Sequence, residues 1–170
     1  MRPRPSIAAA PQGGAVFAAV TDWIDATGTS RILLCASSDQ GRTWSAPLAV
    51  ATSRQTLYLQ PQLAVDDAGR VALSVYALSI AQASIDVLLY LSTPGRAAFG
   101  PPRRVTAQSF DPTQAVNTGS TRWLGNYQGI AAAGTTVHPI WADTRTGDTQ
   151  IFTTTLRTGG SAKGPERIQR

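Results

Sequence analysis

The sequence predicts an all-β fold, a β-propeller present in part, with about three four-stranded blades. Three observations predict it: a composition that starves helices, an apolar pattern repeated at an offset of 55 residues, and turn chemistry at the same place in each repeat. The chain has 170 residues, within the ~100–200 expected of one domain. Fourteen Arg stand against one Lys, and nine Asp against a single Glu, Glu166. Lys, Glu and Leu carry helix propensity, so a helical bundle is excluded. Fifteen Gly and eleven Pro among many Thr, Val and Ala fit short strands joined by turns. A hydrophobic content of 42% is enough to build a core, which excludes disorder.

The repeat is read directly. Ile32-Leu33-Leu34-Cys35-Ala36-Ser37 aligns with Val87-Leu88-Leu89-Tyr90-Leu91-Ser92 at an offset of 55, which also carries Trp44 onto Phe99, Pro47 onto Pro102 and Val50 onto Val105. Pro5-Ser6-Ile7-Ala8 matches Pro61-Gln62-Leu63-Ala64 at 56, and Ala15 through Asp22 maps onto Thr136 through Asp143 at 121. The first repeat (about residues 5–51) is expected to hold strands at Ser6–Ala10, Ala15–Asp22, Arg31–Ser37 and Leu48–Ala51. The second (about 61–106) holds Gln62–Asp66, Val71–Ser79, Asp86–Ser92 and Arg103–Thr106. The third (about 127–169) holds Gly129–Ala133, Thr136–Asp143, Gln150–Leu156 and Glu166–Gln169. Pro11-Gln12-Gly13-Gly14, Asp67-Ala68-Gly69-Arg70 and Ala133-Gly134-Thr135 separate the first two strands each time. Four strands repeating every ~40–60 residues read as propeller blades, which close in rings of about four to eight. Three blades leave open edges, so further blades or self-association are expected to close the ring.

A net charge of +5 invites a nucleic-acid partner, but the basic residues are scattered and no run exceeds Arg103-Arg104. Binders of nucleic acid concentrate charge on one face or helix, so no such partner is expected. The single Cys35 lies in an apolar run and reads as a buried free thiol, with no internal disulfide and no Cys-based zinc site. His138 has no neighbouring His or Cys, and Asp143-Thr144-Arg145-Thr146-Gly147-Asp148 lacks the alternating carboxylates of a calcium loop. No metal and no cofactor are expected. The apolar run Ile7–Ala10 is broken at Pro11, too soon for a signal peptide, and no stretch approaches the ~20 residues of a membrane span.

Between the third and fourth strands of the first repeat lies Ser37-Ser38-Asp39-Gln40-Gly41-Arg42-Thr43-Trp44, the pattern S-x-D-x-G-x-T-W. It resembles the Asp-box of the bacterial neuraminidase repeat, found in sialidases and related propellers. Its physics is local: Asp39 accepts turn N–H groups, Gly41 permits a positive φ, and Trp44 plugs the blade. On that reading Trp44→Ala costs a few kcal/mol, as truncation of a core aromatic does. The second copy, Ser92-Thr93-Pro94-Gly95-Arg96-Ala97-Ala98-Phe99, keeps the length, the Ser and an aromatic. The resemblance covers Pro5 to Ile168. It implies a six-bladed parent outside the cell, and retaining exo-sialidase chemistry with a Tyr nucleophile paired to Glu, an Asp acid/base and three Arg on the sialate carboxylate.

Carried onto this chain, the resemblance makes Tyr127, just before the first strand of a late blade, the catalytic candidate. The partner Glu fails to match, since Glu166 falls on a predicted outer strand, and no Arg sits in a recognisable triad motif. Blade topology groups the second-to-third loops Asp22–Arg31, Ala77–Ser84 and Asp143–Gln150 with the inter-blade segments Thr52–Gln60 and Ala107–Asn126. That face gathers the ligand-binding candidates Arg122, Trp123, Asn126, Asp143 and Arg145, where aromatics beside charged donors suit sugars and carboxylates. Asp143 and Arg145 read first as an ion pair or a cap of the hairpin and only second as ligand contacts, and Trp23 and Trp141 read as blade packing. The leading function is therefore a sialidase-like glycoside hydrolase fragment or glycan-binding propeller, with a glycan or sialoside as partner. The alternatives are a non-catalytic interaction scaffold or an inactive truncated paralogue.

Overall fold

The computed structural model describes residues 4–24, 26–116, 124–125 and 128–159. They form three antiparallel sheets in chain order. The first runs β1 (Ser6–Ala9), β2 (Val16–Ile24), β3 (Thr29–Ser37), β4 (Leu48–Ser53), each strand beside the next. The second repeats this with β5 (Thr56–Val65), β6 (Val71–Ser79), β7 (Ser84–Leu91) and β8 (Arg103–Arg104). A 3-10 turn at Pro112–Gln114 follows, started by Asp111, whose carboxylate accepts the Thr113 N–H at 2.8 Å, with Pro112 placed where a helix needs no N–H. In the third sheet, β10 (Thr136–Asp143) pairs with β9 (Gly129–Ala133) on one side and with β11 (Gln150–Thr153) and β12 (Leu156–Arg157) on the other. The chain therefore carries successive antiparallel blades, as a partial β-propeller does.

Three expectations are corrected. The segment Thr52–Gln60 is mostly strand: β4 reaches Ser53 and β5 begins at Thr56, so the connection shrinks to a tight turn in which the Ser53 hydroxyl accepts the Gln55 and Thr56 N–H groups. The first hairpin loop shrinks likewise, because β2 extends to Ile24 and β3 starts at Thr29. The third strand of the last repeat is broken at Thr154-Thr155 into β11 and β12. Its expected fourth strand, Glu166–Gln169, lies outside the described residues.

Alternation along the strands builds two cores. Phe17, Ala19, Ile32 and Leu34 of the first sheet pack with Leu63, Val71, Leu73 and Val75 of the second. Ala72, Tyr76, Val87 and Leu89, on the other side of the second sheet, pack with Val137, Trp141 and Leu156 of the third. The second sheet is thus covered on both faces, and β6 reads as a nearly continuous buried run. Polar staples cross each seam: the Ser6 hydroxyl accepts Leu63 N–H and that of Ser30 accepts Tyr58 N–H, both at 3.0 Å. Between the second and third sheets, the Tyr76 hydroxyl donates to the Ala142 carbonyl at 3.0 Å and accepts its N–H at 2.9 Å. Burial raises the Tyr76 phenol, so it stays protonated in that role.

Three aromatic and thiol expectations also change. Trp44 is 42% exposed and Trp23 39%, so neither plugs the core, whereas Trp141 is buried. Trp44 lies flat on its own turn because its indole N–H is held by the Gly41 carbonyl at 3.1 Å. Cys35 is half-buried, since its strand turns it to the side of the first sheet that no other sheet covers.

Candidate functional site

The third sheet and the connection before it carry the densest chemistry. Asp143 ends β10 with no solvent exposure, and a buried carboxylate persists only when its oxygens are satisfied. Oδ1 accepts Arg145 N–H at 2.8 Å; Oδ2 accepts Trp141 Nε1 at 3.1 Å and Arg145 Nε at 2.8 Å, and it also pairs with Arg145 Nη2. The guanidinium lies over the Phe152 ring, 4.3 Å from its centroid, and near Trp141, at 5.9 Å. Trp141 and Phe152 stack with centroids 6.2 Å apart. Asp143 and Arg145 are thus brought together as a fixed ion pair that orders the hairpin. The corresponding position of the first repeat, Asp22, is paired across strands with Arg31.

The loop that follows Asp143 is tied to the inter-blade connection. The Thr144 hydroxyl donates to the Asp111 carbonyl at 2.6 Å, and Val116 N–H donates to the Thr149 hydroxyl at 3.1 Å. Phe110 bridges to Ile85 in β7 through paired backbone bonds of 2.8 and 3.0 Å. The second hairpin joins the same end of the fold, with Ile80 N–H donating to the Gln55 carbonyl at 2.9 Å. The grouping of hairpin loops and connections on one end, derived from strand topology, is therefore seen in these bonds.

Close by in the chain, a polar cluster surrounds a bulge in β5. The register of β5 with β6 slips between Leu59 and Gln62, and Gln60 there takes a left-handed φ of 50°. Its Nε2 donates to the Gly125 carbonyl at 3.0 Å, while Gln128 Nε2 donates to the Gln60 carbonyl. The Ser74 hydroxyl donates to Gln128 Oε1 at 3.3 Å. Gly125 and Gln128, on either side of two further residues, are both held at β5. Sequence reasoning missed Gln60, Gln128, Asp111 and Tyr76. Only Asp111 had a readable signal, the Asp-Pro-Thr start of a turn.

Arg122, Trp123, Asn126 and Tyr127 lie outside the described residues, as does Glu166. The Ser37–Trp44 turn is described throughout. The Asp39 carboxylate accepts Thr43 N–H at 2.8 Å, the Thr43 hydroxyl at 2.6 Å and the Ser37 hydroxyl at 2.7 Å. The Ser37 oxygen in turn accepts Gly41 N–H at 2.8 Å. These donors, the Thr43 hydroxyl foremost, hold the Asp39 carboxyl down at about 2. Among the described residues no three His, Cys, Asp or Glu side chains gather as a metal-holding group, and no helix is long and apolar enough to cross a membrane.

No protein-family model matches the chain, and no curated protein matches it. Solved structures do. A Hadza microbial sialidase, Hz136, is similar over 96% of this chain and 34% of its own, with a TM-score of 0.58 at 13% identity. An alpha-L-arabinanase of Penicillium chrysogenum, solved with arabinobiose, is similar over 89% of this chain and 45% of its own, with a TM-score of 0.61 at 14% identity. The GH93 alpha-L-arabinofuranosidase of Fusarium graminearum, also with arabinobiose, gives 0.55 at 13% identity over 89% of this chain and 44% of its own. The chain thus spans a third to just under half the length of these structures. At such identities the likeness speaks for the fold alone, a sialidase-like β-propeller.

Proposed function

We propose that this chain is the glycan-facing part of an extracellular glycoside hydrolase propeller of exo-sialidase type. The observation that carries the reading is the tie between the 107–116 connection and the Asp143–Thr149 loop, reinforced by the pinning of Gly125 and Gln128 to β5. Arg122, Trp123 and Asn126 belong to the same connection, and Tyr127 directly precedes Gln128. In this reading Tyr127 is the nucleophile, Arg122, Trp123 and Asn126 contact the sugar, and Asp143 presents Arg145 to an anionic or hydroxyl-rich ligand. The stacked Arg145–Phe152 surface suits the apolar face of a sugar ring with a charged donor beside it. Ser37, Asp39, Gly41, Thr43 and Trp44 serve as an Asp-box, holding the hairpin at the far end of the blade.

A second reading, a non-catalytic glycan-binding scaffold, is favoured by one observation. The Arg145 guanidinium is already spent on Asp143 and Phe152, an arrangement suited to binding a ring more than to gripping a carboxylate. Incubating the full chain with fluorogenic sialoside and arabinofuranoside substrates separates the two. Sialoside hydrolysis that disappears in Tyr127→Phe supports the enzyme. Inactivity with retained glycan-array binding, lost in Arg145→Ala, supports the scaffold. Neither hydrolysis nor binding rejects both.

A further inference from the structure

The first strand of the second sheet is interrupted at one point. β5 keeps register with β6 from Thr56 to Leu59 and again from Gln62 to Val65, and Gln60-Pro61 between them forms the bulge. Pro61 has no N–H to offer β6, so the ladder loses no donor there. Gln60 takes a φ of 50°, a left-handed backbone that it shares, among the described non-glycine residues, only with Gln40 and Ala83. That region is sterically unfavourable for any residue with a Cβ, so contacts from outside the strand must hold Gln60 in it.

Three side-chain bonds do so in sequence. Gln60 Nε2 donates to the Gly125 carbonyl at 3.0 Å, and Gln128 Nε2 donates to the Gln60 carbonyl. The Ser74 hydroxyl, with no solvent exposure, donates to Gln128 Oε1 at 3.3 Å and so fixes which way that buried amide faces. Gln60 therefore holds Gly125 through its side chain and Gln128 through its main chain. A glycine at this position would accept the left-handed backbone without cost, but it could not reach Gly125. Two residues separate the held positions, Asn126 and Tyr127. The three Cα–Cα steps from Gly125 to Gln128 span at most about 11 Å, so fixing both ends leaves little freedom between them.

We infer that Gln60 is a positioning residue for Tyr127. The inference rests on the reading of Tyr127 as the nucleophile. Asn126 and Tyr127 lie outside the described residues, and the bonds that hold the residues on either side of them carry the assignment. Gln60 touches no reacting atom in this role; it acts through the main chain at Gly125 and Gln128. The lever is large, because a nucleophile misplaced by about 1 Å can lose about a hundredfold in rate.

Fluorine NMR on the full chain labelled with fluorotyrosine tests this beside sialoside kinetics. The chain has four Tyr, of which Tyr58, Tyr76 and Tyr90 are buried, and Tyr127→Phe identifies the remaining resonance. Gln60→Gly keeps the bulge backbone allowed and removes the hold on Gly125. Gln128→Leu keeps the volume and removes the hold on the Gln60 carbonyl. In each, the Tyr127 resonance moves toward the free amino-acid position while the three buried ones stay, and the far-UV strand signal is unchanged. In each, kcat on a fluorogenic sialoside falls about tenfold or more, with KM within about twofold of the wild type. Gln40→Gly, the same exchange at the left-handed glutamine of the Ser37–Trp44 turn, leaves both readouts at their wild-type values. A Tyr127 resonance that Gln60→Gly does not move, that Gln40→Gly moves equally, or that already sits at the free position in the wild type overturns the inference. So does an active chain whose kcat ignores Gln60→Gly, which leaves the enzyme reading standing. A wild-type chain without hydrolysis, whose Tyr127 resonance still follows Gln60, rejects the enzyme reading and supports the positioning.

Discussion

The turns Ser37–Trp44 and Ser92–Phe99 follow one path with different chemistry. Their backbone bonds correspond at the repeat offset: Gln40 N–H donates to Gly14 O at 3.1 Å, and Gly95 N–H to Gly69 O at 3.2 Å. Likewise Ser45 N–H reaches Ala36 O at 2.8 Å, and Gly100 N–H reaches Leu91 O at 3.2 Å. The left-handed residue is also shared, Gln40 with φ 64° and Gly95 with φ 67°. In the first turn, side chains enforce the path through Ser37, Asp39 and Thr43, and the aromatic Trp44 is left outside. In the second, glycine accepts the same backbone without help, Ser92 caps Val71 N–H at 2.8 Å, and Phe99 packs against the core. A conserved path does not require a conserved motif. The aromatic that matters for packing belongs to the turn whose motif has decayed.

The largest effect should come from that inversion. Phe99→Ala is expected to cost about 2–3 kcal/mol in urea unfolding and Trp44→Ala about 1 kcal/mol, because only the first removes surface packed against the core. Equal costs would break the contrast. Ser92→Ala strands the buried Val71 N–H and is expected to cost about 1–2 kcal/mol by the same measurement. Gly95→Ala should cost about 1 kcal/mol, while Gln40→Gly should be neutral or slightly stabilising in thermal melts, since both positions need the left-handed region. The smallest effect is in acid. Asp39 is held at about 2 against an ordinary 3.8, so its charge favours the folded turn. That contribution is complete above about pH 4 and is lost as pH falls through 2. Carboxyl NMR titration should place the Asp39 midpoint near 2 in the wild type and nearer the ordinary value in Thr43→Val.

Strand order and turn positions were legible because alternation and Gly-rich punctuation are local signals that repeat. The strand pattern of β6, for instance, is found where the offset puts it, from Val71 to Ser79. The role of Trp44 was not legible, because a motif fixes hydrogen bonds but not which side of a turn faces the core. Thr52–Gln60 was misjudged for a related reason: the strand was expected to begin at Gln62, after Pro61, whereas a bulge at Gln60 lets β5 run through the proline. At the candidate site, the Asp143–Arg145 pair was visible in the sequence as one reading of these residues, and the two side chains are found paired. Gln60 and Gln128 were invisible, since amides carry no spacing signature and meet only through the stacking of separate sheets.

The Tyr76 hydroxyl has a consequence for how the molecule opens. It engages both the N–H and the carbonyl of Ala142, so the Ala142 N–H is held by a side chain of another sheet. Exchange of the Ala142 amide hydrogen then requires the second and third sheets to separate at this end of their seam. One slow proton would report the parting of two blades, and its exchange rate would measure how cooperatively the propeller comes apart.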